Sequence, residues 1–311
     1  MRKHFVFPLF IAASLGFSAC AEAQLEESSR EANAAINTKV ERLEYDAPPS
    51  AWRDVDPENL IRIETDYGTI YAELYPEIAP NHVERIKTLA NQRFYDFLTF
   101  HRVIEGFMNQ TGDPKGDGTG ASELPDIEAE FTFRRGSDMP VNILASRLRD
   151  PRQSRSDKVQ VGFYKGLPVA TQPLSQAILT KDGKVAANGL HCKGVTSMAR
   201  SGVNTGNSQF FLMRGPAQHL DGQYSVWGNT VYGHEFLTKF KIGTKGQDRG
   251  FVPDKMNSLR VVANLPEDEQ VKMQVLKTDH PAFDQYLNGL KNDKGEYPDI
   301  CDIQIPSRIA P

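Results

Sequence analysis

The chain has 311 residues, of which 39% are hydrophobic and 24% are charged, and its formal net charge is −4. These values are those of a globular protein with room for one large domain or two small ones, and they exclude disorder over the whole length. A mildly acidic chain without a basic run is also a poor candidate for binding nucleic acid, so no nucleic-acid partner is expected.

The N-terminal segment, residues 1–23, is predicted to be a signal peptide. Arg2 and Lys3 precede the apolar run FVFPLFIAASLGFSA, which fits a signal sequence and is too short to span a membrane. The sequence leaves two alternatives for how this segment is processed. The small-x-small motif AEA predicts cleavage after Ala23, whereas FSAC resembles a bacterial lipobox, with Phe where Leu is usual, and predicts a lipid on Cys20. We therefore expect either a periplasmic protein or a lipoprotein that meets the membrane only through Cys20.

From residue 60 onward the sequence predicts short strands. LIRIETD and TIYAELY alternate apolar and polar side chains on either side of a Tyr67-Gly68 turn, which predicts a β-hairpin. Pro80 opens a predicted helix over NHVERIKTLANQ, and a second helix is predicted in HEFLTKFKI. Further strands are predicted in TFHRVI, GFMNQTG, GVTSMAR, SQFFLMR, YSVWGNTV and LRVVANL. This pattern predicts a mainly-β fold, an antiparallel barrel whose ends are closed by helices.

Three segments lie outside this strand pattern. Residues 24–58 are rich in Glu, Ser, Ala and Asn and are predicted to be a flexible linker, with one helical stretch near 27–43. Residues from about 136 to 190 lack a strong apolar period and are interpreted as an excursion from the barrel without a core of its own. Residues 266–311 form a C-terminal extension with a strand in VKMQVLK, a short helix near FDQYLNGLK and a last strand in CDIQIPS.

Cysteine use leaves two alternatives open. An exported protein can form disulfides, and Cys192 and Cys301 are the cysteines that remain after the signal segment. They could pair with each other or stay as two separate buried thiols. His191 beside Cys192 is interpreted as structural, because no Cys/His cluster occurs at metal spacing, and neither a metal nor a cofactor is expected.

The segment FHRVIEGFMNQTGDP, residues 100–114, combines a guanidinium with apolar side chains around a Gly turn. Apolar residues alone would indicate core, whereas Arg102 beside Phe107 and Met108 indicates an apolar pocket with one strong hydrogen-bond donor. The following GDPKGDGTG lacks the Lys-Ser/Thr ending of a phosphate-binding loop and is interpreted as turns that Asp113 fixes.

Four separated blocks resemble the cyclophilin-type peptidyl-prolyl cis-trans isomerases. They are ETDYGTIYAELYPEIAPNHVERIKTLANQRFYDFLTF, FHRVIEGFMNQTGDPKGDGTG, GVTSMARSGVNTGNSQFFLM and HLDGQYSVWG, and they occur in the family's order over about residues 60–135 and 193–265. The resemblance implies a closed eight-stranded barrel, a catalytic domain at 59–265 that carries the excursion as an insertion, and isomerisation of X-Pro bonds without a cofactor.

The resemblance also implies the roles of individual residues. The expected catalytic residues are Arg102, Gln110 and Phe107, with Arg102 as the counterpart of the arginine that contacts the prolyl amide. The expected substrate-binding residues are Met108, Ala199, Arg200, Gln209, Phe211, His219, Leu220 and Tyr224. Strand alternation supports part of this set, because Gln209 and Phe211 share one face of SQFFLM while the residues between and after them share the other. His219 stands where many eukaryotic members have Trp, which puts sensitivity to cyclosporin in doubt, and Tyr224 stands where they have His.

The chemistry of this reaction explains why those residue types are needed. An X-Pro amide isomerises over a barrier of about 18–20 kcal/mol that comes from amide resonance. A donor aimed at the pyramidal nitrogen of the twisted amide stabilises the transition state over either planar form. We expect the substrates to be X-Pro bonds in unfolded or loop segments of exported proteins, with the enzyme assisting their folding.

Two other function classes remain. A barrel of this kind could hold a proline-rich partner without turnover, with the insertion as a docking surface; the presence of Arg102 favours turnover. A small-ligand barrel of the lipocalin type would need a hollow interior, whereas Val103, Phe210 and Leu212 are expected to fill it.

Overall fold

The structure is a computed structural model that describes residues 45–144 and 159–310. The predicted signal peptide, the helical stretch near 27–43 and Cys20 lie outside the described residues, as does part of the predicted insertion. Among the helices that are described, none combines the length and the apolar character that crossing a membrane requires.

The described residues form seventeen strands and two α-helices. The strands are β1 (Trp52–Asp54), β2 (Leu60–Thr65), β3 (Gly68–Leu74), β4 (Arg102–Ile104), β5 (Met108–Thr111), β6 (Phe133–Arg135), β7 (Asn142–Ile143), β8 (Gln160–Tyr164), β9 (Leu167–Thr171), β10 (Val185–Gly189), β11 (Val195–Met198), β12 (Phe210–Met213), β13 (Val226–Tyr232), β14 (Gly243–Thr244), β15 (Met256–Val261), β16 (Met273–Leu276) and β17 (Ser307–Ile309). The helices are α1 (Pro80–Asn91) and α2 (Pro281–Gly289). Short 3₁₀ helices cover Pro49–Ala51, Pro57–Asn59, Leu174–Leu179, Gln218–Leu220, His234–Thr238, Val262–Asn264, Glu267–Glu269 and Ile300–Asp302.

The main sheet has nine strands in the order β14-β4-β5-β12-β11-β13-β3-β2-β15. Its ends approach each other, because the segments before β4 and β15 exchange backbone hydrogen bonds: Phe100 N donates to Asp254 O (2.9 Å) and Met256 N to Leu98 O (2.8 Å). The predicted mainly-β class is confirmed, and so is the β2–β3 hairpin. The sheet differs in detail from a closed eight-stranded barrel, since it has nine strands and the closing contact is short.

Aromatic side chains fill the inside of this sheet. Trp227 and Phe210 are fully buried, with ring centroids 5.4 Å apart, and Tyr95 meets Phe210 edge-on at 5.5 Å. Val103 and Leu212 are buried beside them, at 1% and 0% exposure. Across the described strands of this sheet the interior is packed with side chains as expected, unlike the hollow interior of a lipocalin-type barrel.

One of the two helices predicted within the barrel region forms in full. Helix α1 begins with Pro80, as predicted, and its first backbone N–H groups are capped from another segment by Glu130, which accepts from Asn81 N (3.2 Å) and His82 N (3.1 Å). The helix predicted over residues 234–242 is instead the short 3₁₀ helix His234–Thr238. Arg214 binds the carbonyls of Thr238 (3.1 Å) and Phe240 (3.0 Å), so they do not serve a continuing helix.

The described part of the insertion and β6, which directly precedes it, form a second sheet of five strands, in the order β6-β10-β9-β8-β7. The interpretation of this segment as an excursion without a core of its own did not foresee its buried apolar side chains, since Phe163, Leu167, Val169 and Val185 are at most 1% exposed. The reason is visible in β9, whose five residues are all buried. A strand that is covered on both faces has no apolar–polar alternation, so its sequence gives no strand period to detect.

The C-terminal extension and the end of the predicted linker form a third sheet, β1-β16-β17. The linker prediction is wrong for residues 52–54, which pair with β16, and Trp52 is 5% exposed. The strand in VKMQVLK and the helix near FDQYLNGLK are confirmed as β16 and α2. The last strand lies later than CDIQIPS, because Asp299 caps a 3₁₀ helix by accepting from Cys301 N (2.9 Å).

Cys192 and Cys301 form a disulfide across a sequence separation of 109 residues. Of the two alternatives that the sequence leaves open, the structure shows the pairing. The disulfide joins the C-terminal extension to the connection between β10 and β11.

Candidate active site

The β4–β5 hairpin places Arg102 directly opposite Gln110. Arg102 Nη1 donates to Gln110 Oε1 at 3.2 Å, and the guanidinium is half-buried. Gly106 turns the chain between the two strands with φ +65°, a conformation that favours glycine. The hairpin therefore supplies both the donor and the side chain that holds it.

A relay of side-chain amides fixes Gln110 in turn. Gln110 Nε2 donates to Gln209 Oε1 at 3.0 Å, and Gln209 Nε2 donates to the carbonyls of Gly118 (3.1 Å) and Gly120 (2.8 Å). The relay runs from β5 to the start of β12 and ends on a loop backbone. Arg102 is thus positioned by a chain of contacts that extends across the site.

The apolar and aromatic residues among those that the resemblance assigns to the site are expected to hold the proline ring. Phe211 lies opposite Gln110 in the β5–β12 ladder and meets Tyr224 edge-on, with ring centroids 5.7 Å apart. Phe107 faces the exposed ring of His219 at 5.7 Å. We call this set the proline slot, and its members are Phe107, Met108, Phe211, His219, Leu220 and Tyr224. Met108 and Leu220 are 1% and 8% exposed.

Arg200 is clamped at the edge of the slot. Its guanidinium lies 4.5 Å from the Tyr224 ring centroid and 5.1 Å from that of Phe131, and it donates twice to Gln223 O. The preceding residue, Ala199, donates its N–H to Gln209 O (2.9 Å). Phe131 was missed by sequence reasoning, because the sequence gives no sign that it packs against a residue 69 positions away.

A polar groove of about 390 Å³ continues from the slot. Four residues of the predicted site, Gln110, Gln209, Ala199 and Arg200, line this groove. The other lining residues include Thr119, Ala121, Asp126, Thr205 and Asn207, which the sequence did not single out.

Asp113 shapes the loop that borders this groove. It is 1% exposed, and its carboxylate accepts from Lys115 N (2.8 Å) and Asp117 N (3.0 Å). The loop contacts agree with the prediction that Asp113 fixes turns. Hydrogen bonds from Thr119 lower the pKa of the neighbouring Asp117.

A buried network behind the slot was missed by sequence reasoning. His191 Nδ1 lies 3.0 Å from Asp221 Oδ1, its Nε2 lies 2.9 Å from Ser197 Oγ, and its ring stacks at 6.2 Å on Phe211. The three residue types are those of a hydrolase triad. Ser197 is nevertheless 0% exposed, so no substrate can reach its hydroxyl, and the network supports the slot from behind.

Within residues 45–144 and 159–310, no three His, Cys, Asp or Glu side chains are grouped so as to hold a metal ion. The polar groups that border the slot include two guanidiniums and two side-chain amides, which can bind peptide groups through hydrogen bonds.

Comparison with protein families gives one match in this region. The model of "Cyclophilin type peptidyl-prolyl cis-trans isomerase/CLD" matches residues 60–261. Among curated proteins, a "Probable peptidyl-prolyl cis-trans isomerase" of Brucella suis biovar 1 is 30% identical over 222 residues, which are 67% of this chain and 85% of that protein. "Peptidyl-prolyl cis-trans isomerase B" of Bacillus subtilis is 32% identical over 178 residues, which are 57% of this chain and 87% of that protein.

A solved structure is similar over a longer part of the chain. The crystal structure of cyclophilin AquaCyp293 from Hirschia baltica is 35% identical, has a TM-score of 0.74, and covers 86% of this chain and 98% of that chain. This coverage exceeds the 60–261 range of the family match. The similarity therefore extends beyond the nine-stranded sheet into the added segments.

Proposed function

Since the chain belongs to the cyclophilin-type peptidyl-prolyl cis-trans isomerase family, we propose that Arg102 supplies the hydrogen bond that stabilises the twisted X-Pro amide. The single observation that carries the proposal is the 3.2 Å bond from Arg102 to Gln110 at the border of the proline slot. It supports the proposal because an amide holds the charged donor in the same hairpin that carries Phe107 and Met108 of the proline slot.

The mechanism follows from the electronic structure of the amide. Rotation about the C–N bond removes the resonance, so the prolyl nitrogen becomes pyramidal and gains a lone pair. A hydrogen bond from Arg102 to that lone pair is made only in the twisted state, so it lowers the barrier without stabilising either planar isomer. The slot excludes water around the proline ring and strengthens this bond.

The peptide flanking the proline is proposed to run along the polar groove. The backbone at Ala199 and Arg200 lies at the edge between the slot and the groove, where it can bind substrate backbone. Gln110 is proposed to serve twice, because it accepts from Arg102 and also lines the groove. Residues 59–265 are proposed to be the catalytic domain.

The substrates are proposed to be X-Pro segments of exported proteins, whose folding the enzyme would assist. The predicted signal peptide supports this assignment, and so does the Cys192–Cys301 disulfide, because disulfides persist in oxidising compartments such as the periplasm. Intact mass of the membrane fraction tests the lipid on Cys20. A diacylglyceryl mass that disappears in Cys20→Ala would establish the lipoprotein, and its absence would support cleavage after Ala23.

The test of the proposed mechanism is the cis-to-trans rate of a short X-Pro peptide. In Arg102→Ala, kcat/KM is expected to fall about 10²- to 10³-fold, as for the loss of one transition-state donor. Peptide binding should change much less, because the bond forms in the twisted state.

The matched control is Arg134→Ala. Arg134 pairs with Asp182 on the surface of the insertion and is 46% exposed, so its loss should leave kcat/KM unchanged. A wild-type level of activity in Arg102→Ala would contradict the mechanism. Binding without acceleration by the wild-type chain would favour the non-catalytic binding module.

A further inference from the structure

The disulfide lies one residue away from the network behind the proline slot. Cys192 follows His191 directly and is 3% exposed. Its partner Cys301 lies in the 3₁₀ helix Ile300–Asp302 of the C-terminal extension and is half-buried. A segment outside the family match is therefore bonded covalently next to the side chain that supports Phe211.

His191 is held through its backbone as well as through its ring. Its N–H donates to Asp221 Oδ1 (2.8 Å) and its carbonyl accepts from Ala217 N (2.8 Å). These bonds fix both ends of the loop 217–221, which carries His219 and Leu220 of the proline slot. His191 also stacks on Phe211. It therefore contacts both Phe211 and the loop that carries His219 and Leu220.

The connection around Cys192 is also held by backbone hydrogen bonds, since Leu190 N donates to Pro168 O (2.9 Å) and Gly194 N donates to Met213 O (3.0 Å). Residues 190–194 connect β10 to β11, and Gly194 lies within this connection at φ +95°. The other contacts of the extension are made elsewhere: Gln304 meets His234 at 3.2 Å, and Ser307 donates to Val231 O. The disulfide adds a covalent link between this connection and the extension.

We propose that the Cys192–Cys301 disulfide positions the proline slot through His191, so that the isomerase is more active when the disulfide is oxidised. The inference rests on the proposed function, since it concerns the turnover of the same slot. When the bond is reduced, the connection gains freedom and the ring of His191 is less well held. Phe211 and the loop 217–221 then lose part of their support.

A reductant can reach the bond from solvent. A cavity of about 350 Å³ lies between the nine-stranded sheet, the insertion and the extension, and both cysteines line it. Lys193 and Asp302, the residues that follow the two cysteines, line the same cavity and are exposed. The cavity therefore opens to water beside the disulfide.

The chemistry is thiol–disulfide exchange with a dithiol. The thiolate of the dithiol attacks the sulfur of Cys301, the less buried residue of the two, and the Cys192 sulfur leaves as a thiolate that takes up a proton. The second thiol of the reductant then displaces Cys301 and closes the oxidised, cyclic dithiol. Two electrons and two protons pass from the reductant to the protein.

The test compares kcat/KM for a short X-Pro peptide in the oxidised and the reduced wild-type chain, with dithiothreitol as the dithiol. Reduction, verified by intact mass, is expected to lower kcat/KM roughly two- to thirtyfold, the range found for residues that modulate a distant site. Reoxidation should restore it. Cys301→Ser should show the reduced value and no response to dithiothreitol.

Two further readouts separate positioning from a purely structural role. The NMR signals of the His191 and Phe211 rings should move on reduction, whereas a merely structural disulfide would change only the unfolding midpoint. The matched control is Gln304→Ala, which removes another contact of the extension and keeps the disulfide. It should retain both the oxidised activity and the response to dithiothreitol.

A reduced protein that keeps the oxidised kcat/KM and unmoved ring signals would overturn the proposal. If Cys301→Ser does not fold, titration of the folded wild type with dithiothreitol still decides the question. An oxidised wild type without isomerase activity would refute the proposed function, and in that case the ring signals alone would test whether the disulfide positions the slot.

Discussion

Gln110 is the residue on which the position of Arg102 depends. It accepts from the guanidinium and donates to Gln209, so its removal frees Arg102 and breaks the amide relay at once. We expect Gln110→Ala to lower kcat/KM about tenfold, as for the loss of a supporting side chain. Gln209→Ala should have a smaller effect of the same kind, because it acts on Arg102 only through Gln110.

A double-mutant cycle checks this order of contacts. In the Gln110→Ala background, Gln209→Ala should cost almost nothing further, since the relay is already broken. Additive losses in kcat/KM would show instead that the two glutamines act independently on the substrate.

At the residue scale, sequence reasoning found the side chains that share a strand and missed those that meet across the fold. Gln209 and Phe211 follow from the alternation of β12, and Arg102 and Gln110 follow from one short motif. His191 reaches Asp221 over 30 residues, and no local period reports such a contact. From the sequence, His191 beside Cys192 is interpreted only as a structural residue.

Among the secondary structure elements, β5 and β12 must lie close together to form the slot. At the end of β5, Gly112 has φ +85°, and a Cβ there would lie 2.3 Å from the backbone carbonyl oxygen of Ser208. Gly112→Ala should therefore lower the free energy of unfolding by well over the roughly 1 kcal/mol that the backbone conformation alone costs. Urea unfolding followed by circular dichroism measures this loss.

Gly183 provides the matched control, because it also has a positive φ (+65°) but has no atom within 4 Å of an added Cβ. Gly183→Ala should show the conformational cost alone. Equal losses in the two variants would mean that the β5–β12 distance adjusts freely and does not constrain the slot.

Elements whose strands alternate could be predicted from the sequence, and those covered on both faces could not. Apolar and polar side chains alternate along β2 and β3, and the chain turns at Gly68, so this hairpin could be located from the sequence. The sheet of the insertion escaped prediction because β9 is buried throughout and because β10 pairs with β6, about 50 residues earlier in the chain. The helix predicted over 234–242 ends early because Arg214 donates to the carbonyls of Thr238 and Phe240. Helix propensity depends on local sequence and cannot predict this long-range contact.

At the scale of the whole molecule, His234 lies where the barrel and the C-terminal extension meet. It is 9% exposed, and burial lowers its pKa to about 4, with the nearby charge of Lys193 acting in the same direction. The folded state thus favours the neutral ring, whereas the unfolded chain takes up a proton near pH 6.5. Above pH 6.5 the ring is neutral in both states, and the free energy of unfolding is not reduced. As the pH falls from 6.5 towards 4, protonation of the unfolded chain lowers the free energy of unfolding.

We expect the free energy of unfolding to fall by at most about 3 kcal/mol from this source between pH 7 and pH 4. Urea unfolding at pH 7, 5.5 and 4 measures the change, and His234→Gln should reduce the slope. If the slope is the same in His234→Gln, the acid sensitivity of the protein has another origin.

The barrel could be predicted because its four blocks occur in the family's order, although residues 121–193 separate the second block from the third. The third sheet could not, because β1 pairs with β16 across more than 200 residues and each strand is short. Strands of three or four residues carry too little alternation to stand out from a loop.

The place of β16 between β1 and β17 also sets the order in which the molecule can be assembled during synthesis. About 220 residues separate Asp54 from Met273, so at about 5–20 residues per second the first strand waits roughly ten to forty-five seconds for its partner. Cys301 is made later still. A growing chain that has just passed Val261 already holds all nine strands of the barrel, while its first strand is still without a neighbour.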